Sequence, residues 1–187
     1  MPEPDEWLMQ QVALGSSRHL DTLLRRYAQP ILTFTTRLLG STHRGEDAFQ
    51  ETFLAVWVRR STYKFPRLFR PWLFRIAHNQ CRQFVRPHEL LALGFDDDSG
   101  SPDFARAAPP FPGPVDTAIA AETNTIVDRA LARLPDQQRA VLVLRLWNAM
   151  SYTEIAATLD VAEATVRSTM HDALAHLRRY LEPRLRI

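Results

Sequence analysis

The sequence predicts an all-α protein made of two small helical domains joined by a flexible linker rich in proline and aspartate. Three observations lead there. Apolar residues recur at three- and four-residue spacing in two separate stretches, 45–57 and 136–181, the period of helices that bury one face. Between them runs a segment with no sustained period, broken by Pro87, Pro102, Pro109, Pro110, Pro112 and Pro114, by Gly94, Gly100 and Gly113, and by the acidic run Asp96-Asp97-Asp98. Charge divides the same way: residues 1–86 hold 13 Arg/Lys against 7 Asp/Glu, residues 87–121 hold 1 against 6, and residues 122–187 hold 9 against 8. The expected division is a first domain over 1–86, a linker over 87–116 and a second domain over 117–187.

Composition narrows the function classes. No apolar run approaches the roughly 18 residues that span a bilayer. The acidic start Met1-Pro2-Glu3-Pro4-Asp5-Glu6 has neither the basic flank nor the apolar core of a signal peptide, so a cytoplasmic location without membrane insertion is expected. Cys81 is the only cysteine, which excludes an intrachain disulfide and a cysteine-based zinc site. Spaced helically with Ile76, Ala77 and Phe84, it reads as a small buried hydrophobe. Asp96-Asp97-Asp98-Ser99-Gly100 lacks the alternating ligands and closing glutamate of a calcium loop. No metal, cofactor or catalytic residue is expected. The basic first domain favours a polyanion, because each phosphate contact by Arg or Lys releases condensed counterions. The acidic linker could cover that basic surface when nucleic acid is absent, a hypothesis that deletion of residues 94–103 would test.

The first element, 45–57, has two faces. Phe49, Phe53 and Trp57, with Val56 beside them, form the stripe that packs. Asp47, Gln50, Glu51 and Leu54 follow the i, i+3, i+4, i+7 rule on another face and give an acidic, amide-bearing patch with one apolar contact. The next segment, from Arg59 to Arg86, interleaves cations (Arg59, Arg60, Lys64, Arg67, Arg70, Arg75, Arg82, Arg86) with rings (Tyr63, Phe65, Phe69, Trp72, Phe74, Phe84). That mixture suits single-stranded DNA, whose backbone the cations track while rings receive bases at roughly 1–3 kcal/mol each. Trp72, Ile76 and Phe84 read as core, whereas Ser61-Thr62-Tyr63-Lys64-Phe65-Pro66 reads as a loop with exposed rings.

In the second domain, Leu134-Pro135 breaks the chain and Asp136 is placed to cap a helix carrying Val141, Leu142, Leu144 and Leu146 to Trp147. Ser151-Tyr152-Thr153-Glu154 spells a capping box that opens a short helix through Ile155, Ala156 and Leu159. Asp160-Val161 makes a tight turn, and Val166, Met170, Ala173, Leu177 and Leu181 share one face of the last helix. Two helices joined by a short turn, with Ala156 and Ala157 allowing close approach, describe a helix-turn-helix whose second helix enters the major groove. Its early turns expose Glu163, Ala164, Thr165, Arg167, Ser168, Thr169, His171 and Asp172.

Taken together, these motifs resemble bacterial RNA polymerase sigma factors of the sigma-70 family, specifically the two-domain extracytoplasmic-function (ECF) class. The E-D-x-x-Q-E-T-F-x-x-x-W pattern is matched from Glu46 to Trp57, and F-R-x-W-L-x-R-I-A-x-N from Phe69 to Asn79. L-P-x-x-x-R is matched by Leu134, Pro135 and Arg139, and Y-x-E-I-A-x-x-L by Tyr152, Glu154, Ile155, Ala156 and Leu159. The resemblance implies a region 2 domain and a region 4 domain, and a function in which the protein binds core RNA polymerase and directs it to promoters through their −10 and −35 elements.

Residue roles follow from the resemblance. Asp47, Gln50, Glu51 and Leu54 would dock on the clamp helices of the polymerase's largest subunit, with the flap as a further polymerase contact. Ser61, Thr62, Tyr63, Lys64 and Phe65 would hold a flipped −10 base, while Arg70, Arg75, His78, Asn79 and Arg82 grip the duplex edge and backbone. Glu163, Thr165, Arg167, Ser168, Thr169 and His171 would face the −35 groove, Glu163 accepting from a cytosine amine. The resemblance implies no catalyst and no cofactor; its partners are core polymerase, promoter DNA and, as is common in the class, an anti-sigma factor. Melting would draw on binding alone, trapped bases offsetting stacking of about 1.4 kcal/mol per step.

The chain departs from the family at the turn and the recognition helix. Asp160 stands where the family turn L-G-V has glycine, and Ala164, Thr169, Asp172 and Leu174 replace a glycine and three arginines, making the −35 contact less electrostatic. Ala162 stands where a capping Ser or Thr would add about 1 kcal/mol. A helix-turn-helix regulator acting without core polymerase is the alternative, but it has no use for the Asp47/Glu51 face. An enzyme would need a reactive Cys81, which a buried thiol is not.

Overall fold

In the computed structural model the backbone is described for residues 3–92 and 126–185, and side chains for 3–85 and 126–182. Among the described residues there is no strand, only helices joined by turns and short irregular segments. The first domain comprises α1 (Asp5–Ala13), α2 (Ser17–Leu39), α3 (Thr42–Val58), a single 3-10 turn (Arg60–Thr62) and α4 (Phe69–Ala92). The second comprises α5 (residues 126–132), α6 (Asp136–Leu146), α7 (Tyr152–Leu159) and α8 (Glu163–Leu185). Residues 93–116 of the expected linker, with Asp96-Asp97-Asp98 and the masking role considered for them, lie outside the described residues. α4 itself continues through Pro87 to Ala92, beyond the point where the sequence predicts the linker to start. Glu89, Leu90, Leu91 and Ala92 are strong helix formers, and their preference outweighs the proline.

The first domain is organised by one close helix crossing. α2 ends on Gly40 in the left-handed region (φ 64°), and Ser41 then caps α3 by accepting from the Arg44 N–H at 3.4 Å. Immediately after the cap, Gly45 lies so near α2 that an added Cβ would be 2.5 Å from Thr36 Oγ1 and 2.6 Å from Thr36 Cα. Thr35 spans the same crossing, its hydroxyl donating to the Gly45 carbonyl at 2.8 Å. This crossing sets the angle at which α3 turns its other face outward. Behind it, Leu23, Ile31, Phe34, Val56, Phe69, Leu73, Phe74 and Ala77 form the core, with Phe34 and Phe74 in edge-to-face contact at 5.5 Å. Cys81 belongs to this core, and burial pushes its thiol well above the ordinary range, consistent with an inert hydrophobe.

The second domain packs α6, α7 and α8 around Val141, Leu142, Leu144, Ile155, Val166 and Ala173. Asp136 is the first helical residue, not the cap; Pro135 occupies the cap position in extended conformation, and Asp136 lies 3.7 Å from Arg139 instead. Leu146, expected inside, is 56% exposed because α6 ends there. Ala157 is exposed while Thr158 is buried, so close approach at α7 rests on Ala156. Arg139 gathers the chain break: it donates to the carbonyls of Leu131, Ala132 and Leu134 at 3.0–3.2 Å and to that of Leu38, in the last turn of α2, at 2.8 Å.

That last bond crosses between the domains, and others join it. Arg37 of α2 pairs with Asp128 of α5 at 2.5 Å and lies over the Trp147 ring at 4.4 Å. Arg70 and Arg75 of α4 reach α7. First-domain arginines meeting second-domain carboxylates and carbonyls thus supply polar contacts of the domain junction, beside an apolar core that runs through both domains.

Candidate functional site

Three surfaces carry the chemistry anticipated from the sequence. On α3, Phe53 and Val56 are buried and Phe49 and Trp57 pack beside them, as their spacing requires. The opposite face presents Asp47, Gln50, Glu51 and Leu54, with Leu54 58% exposed. Asp47 is held by His43 at 3.0 Å across one turn. The face also includes Val58, four residues past Leu54 and 72% exposed, which motif reading omits. Continuing the i, i+4 progression from Leu54 was the signal that would have found it. Two carboxylates, an amide and two exposed apolar side chains thus share one helix face, complementary in character to a basic, partly apolar surface.

The second surface is the stretch from the 3-10 turn into α4. Ser61, Thr62, Lys64 and Phe65 are exposed, with Phe65 at 54%, and Leu68 at 58% adds an apolar neighbour absent from the motif. Tyr63 is not an exposed ring. It is 6% exposed, stacks edge-on against Trp72 at 5.2 Å and Phe69 at 6.3 Å, and donates its hydroxyl proton to the Arg67 carbonyl. Desolvation raises its phenol to about 12. Tyr63 is thus the loop's anchor, and its ring cannot receive a base in this structure.

The start of α4 has a cap supplied from far away. Glu6 of α1 accepts from the Phe69 N–H at 3.1 Å, occupying the helix N-terminus that no nearby side chain serves. α1 is held for this by Asp5, which accepts from Tyr27 Oη and Arg26 Nη1, both at 2.6 Å. Along α4, Asn79 and Arg82 are exposed. Arg75 pairs with Asp160 at 2.6 Å, and Arg70 donates to the Asn148 carbonyl and lies 3.8 Å from Glu154. His78 is desolvated and faces Arg82, and together these lower its pKa from 6.5 to about 4 despite Asp136. It is therefore neutral near pH 7, not a cation.

The third surface is the helix-turn-helix. Ser151 and Glu154 form the capping box in full: the Glu154 N–H donates to Ser151 Oγ at 3.2 Å and the Ser151 N–H to Glu154 Oε2 at 2.8 Å. Asp160 closes α7 in the left-handed region at φ 61°, ψ 46°. On α8, Thr165, Arg167, Ser168 and His171 are exposed and Thr169 is half-buried. Glu163 is not free to read a base. Its carboxylate accepts from Thr153 Oγ1 at 2.7 Å and from Arg167 Nη2 at 2.6 Å, bracing α7 to α8 and holding its own pKa down. Arg167 also lies over the Tyr152 ring at 4.7 Å, so its guanidinium is held from two sides.

An acidic strip, a basic-aromatic segment and a helix-turn-helix thus occupy one chain. Residues 23–89 match the family model for Sigma-70 region 2, and residues 124–177 match the model for Sigma-70 region 4. The chain is 27% identical over 176 residues to the ECF RNA polymerase sigma factor SigW of Bacillus subtilis, covering 92% of this chain and 94% of that protein. The chain belongs to the ECF class of sigma-70 family sigma factors. It directs RNA polymerase to promoters and is a non-enzymatic initiation factor. The ECF sigma factor SigE of Mycolicibacterium smegmatis is 34% identical over 161 residues, covering 86% of this sigma factor and 61% of that longer relative. Among solved structures, CnrH in complex with the cytosolic domain of CnrY superposes with a TM-score of 0.72 at 27% identity, covering 97% of this chain and 99% of that one. No helix among the described residues is long and apolar enough to cross a membrane.

Proposed function

We propose that the three surfaces divide the work of a sigma factor among named residues. Asp47, Gln50, Glu51 and Leu54, extended by Val58, dock on the clamp helices of the polymerase's largest subunit, and the second domain meets the flap. The exposed part of the −10 loop, Ser61, Thr62, Lys64 and Phe65, takes an unstacked base, with Tyr63 and Glu6 holding the loop between them. Arg70, Arg75, Asn79 and Arg82 bind the backbone, and His78 contributes a neutral hydrogen bond. Thr165, Arg167, Ser168, Thr169 and His171 face the −35 groove, with Glu163 fixing Arg167. CnrH is solved in complex with the cytosolic domain of CnrY; for this chain, an anti-sigma factor that masks its surfaces is part of the proposal. The sigma factor works in the cytoplasm, where polymerase and chromosome meet.

The observation that carries this reading is the α3 face, where Leu54 and Val58 lie exposed beside Asp47 and Glu51 on a helix whose other face is core. The test is selection of promoters from random duplex DNA by core polymerase reconstituted with this protein. Two sequence blocks at one fixed spacing are expected, and Arg167→Ala should relax the upstream block alone. Selection of a single block, unchanged by that substitution, would contradict the −35 assignment.

A further inference from the structure

Among the residues to which the proposed function gives the −35 groove, Arg167 is the only arginine, and side chains from α7 and α8 converge on it. Glu163, one turn earlier on α8, accepts from its Nη2 at 2.6 Å, and the ring of Tyr152, the first residue of α7, lies 4.7 Å from its Cζ. Both holding groups are themselves held. The second oxygen of Glu163 accepts from Thr153 Oγ1 at 2.7 Å. The Tyr152 ring also carries Arg145 of α6 at 5.0 Å, and Arg145 Nη1 donates to the Met150 carbonyl at 2.8 Å.

An exposed i, i+4 ion pair fixes little by itself, because both side chains keep most of their rotational freedom. This pair has α7 at both ends. The carboxylate cannot swing without leaving Thr153, and the guanidinium cannot swing without leaving Tyr152. The Arg167 side chain is nevertheless 61% exposed, and among the described residues only Glu163 accepts from its N–H groups, so the rest of its donor fork faces solvent. With its charge matched by a neighbouring carboxylate, Arg167 pulls weakly on a phosphate. With its fork fixed in direction, it suits two acceptors at one place, such as the O6 and N7 edge of guanine in the major groove.

We propose that Arg167 is a base reader and not a backbone contact, and that Thr153 and Tyr152 are positioning residues that set its aim from α7, the helix that stays out of the groove. Thr153 acts through Glu163 and touches no DNA. Part of the −35 specificity is thereby carried by a hydroxyl on the supporting helix.

The proposal rests on the −35 assignment of α8, and the experiment separates the two. Core polymerase reconstituted with the full-length protein selects from random duplex DNA, and binding to a selected duplex is then measured over a range of salt. Arg167→Ala should erase the preference for a G·C pair in the upstream block and leave the salt slope unaltered, whereas loss of a phosphate-bound arginine lowers that slope by about one. Thr153→Val removes the hydroxyl at similar shape and should weaken the preference at that same pair about 2- to 10-fold, the range of a single hydrogen bond. Thr153→Ser restores the donor and should select as the wild type does. If Thr153→Val leaves the Arg167-dependent pair unchanged, or weakens every upstream position alike with Thr153→Ser no better, the positioning role is overturned. A slope lowered by about one in Arg167→Ala overturns the base reading. If Arg167→Ala alters neither the upstream block nor the slope, the −35 assignment fails instead.

Discussion

α3 and α4 both display binding chemistry on one face, yet one face is open and the other is covered. The α3 strip of Asp47, Gln50, Glu51, Leu54 and Val58 faces solvent, with its carboxylates unengaged by the second domain. The α4 strip has Arg70, Arg75 and His78 turned toward α6 and α7, where carboxylates and a carbonyl meet them. The difference lies in complementarity within the chain. The second domain offers acidic groups at Asp128, Glu154 and Asp160, which satisfy arginines and would repel the acidic α3 face. On the proposed assignments, the face given to polymerase is open in the free chain and the face given to DNA is covered.

The largest effect should come from the covered side, through His78. Its pKa is about 4 in the folded protein against 6.5 when unfolded, so the native state resists the proton. Stability from this residue is full above pH 6.5 and falls as pH drops toward 4, by on the order of 3 kcal/mol. Chemical denaturation at stepped pH should show that slope, and His78→Gln should flatten it; an unchanged slope would mean that His78 is hydrated and the face is not covered. A smaller effect is expected at the base of the open side. Gly45→Ala forces a Cβ into Thr36 and should cost about 1–3 kcal/mol in thermal unfolding, because α2 and α3 must separate. The smallest tests the open face itself: Val58→Ser should leave Tm unchanged, since the residue is 72% exposed, and weaken core polymerase binding about tenfold. A lower Tm with unaltered binding would make Val58 a packing residue.

The two faces also differ in how far the sequence discloses them. Helical period separates Phe53 and Val56 from Asp47, Gln50, Glu51 and Leu54, because burial and exposure on one helix follow directly from 3.6-residue geometry. The same holds for the capping box at Ser151 and Glu154, which is local chemistry. What the sequence conceals is long-range. Tyr63 sits among cations and looks like an exposed ring, but Phe69 and Trp72 fold back over it. Glu6 caps a helix 63 residues away, and no spacing rule reaches that far. Glu163 has the right position to read a base, yet Thr153 and Arg167 take both its oxygens. Arg70 and Arg75 show their charge in the sequence but not their partners, which come from another domain. Asp160 stands out in the sequence only as a departure at the turn, and its pairing with Arg75 is visible only in the structure.

The central claim is that the α3 strip is the polymerase contact and is open in the free chain. The most direct test is equilibrium binding of purified protein to bacterial core RNA polymerase, wild type beside Asp47→Arg/Glu51→Arg. Tight binding by the wild type is expected, weakened about 100-fold in the double reversal, or about 2.7 kcal/mol, with thermal stability retained. Wild-type binding that survives the reversal would contradict the assignment of that face.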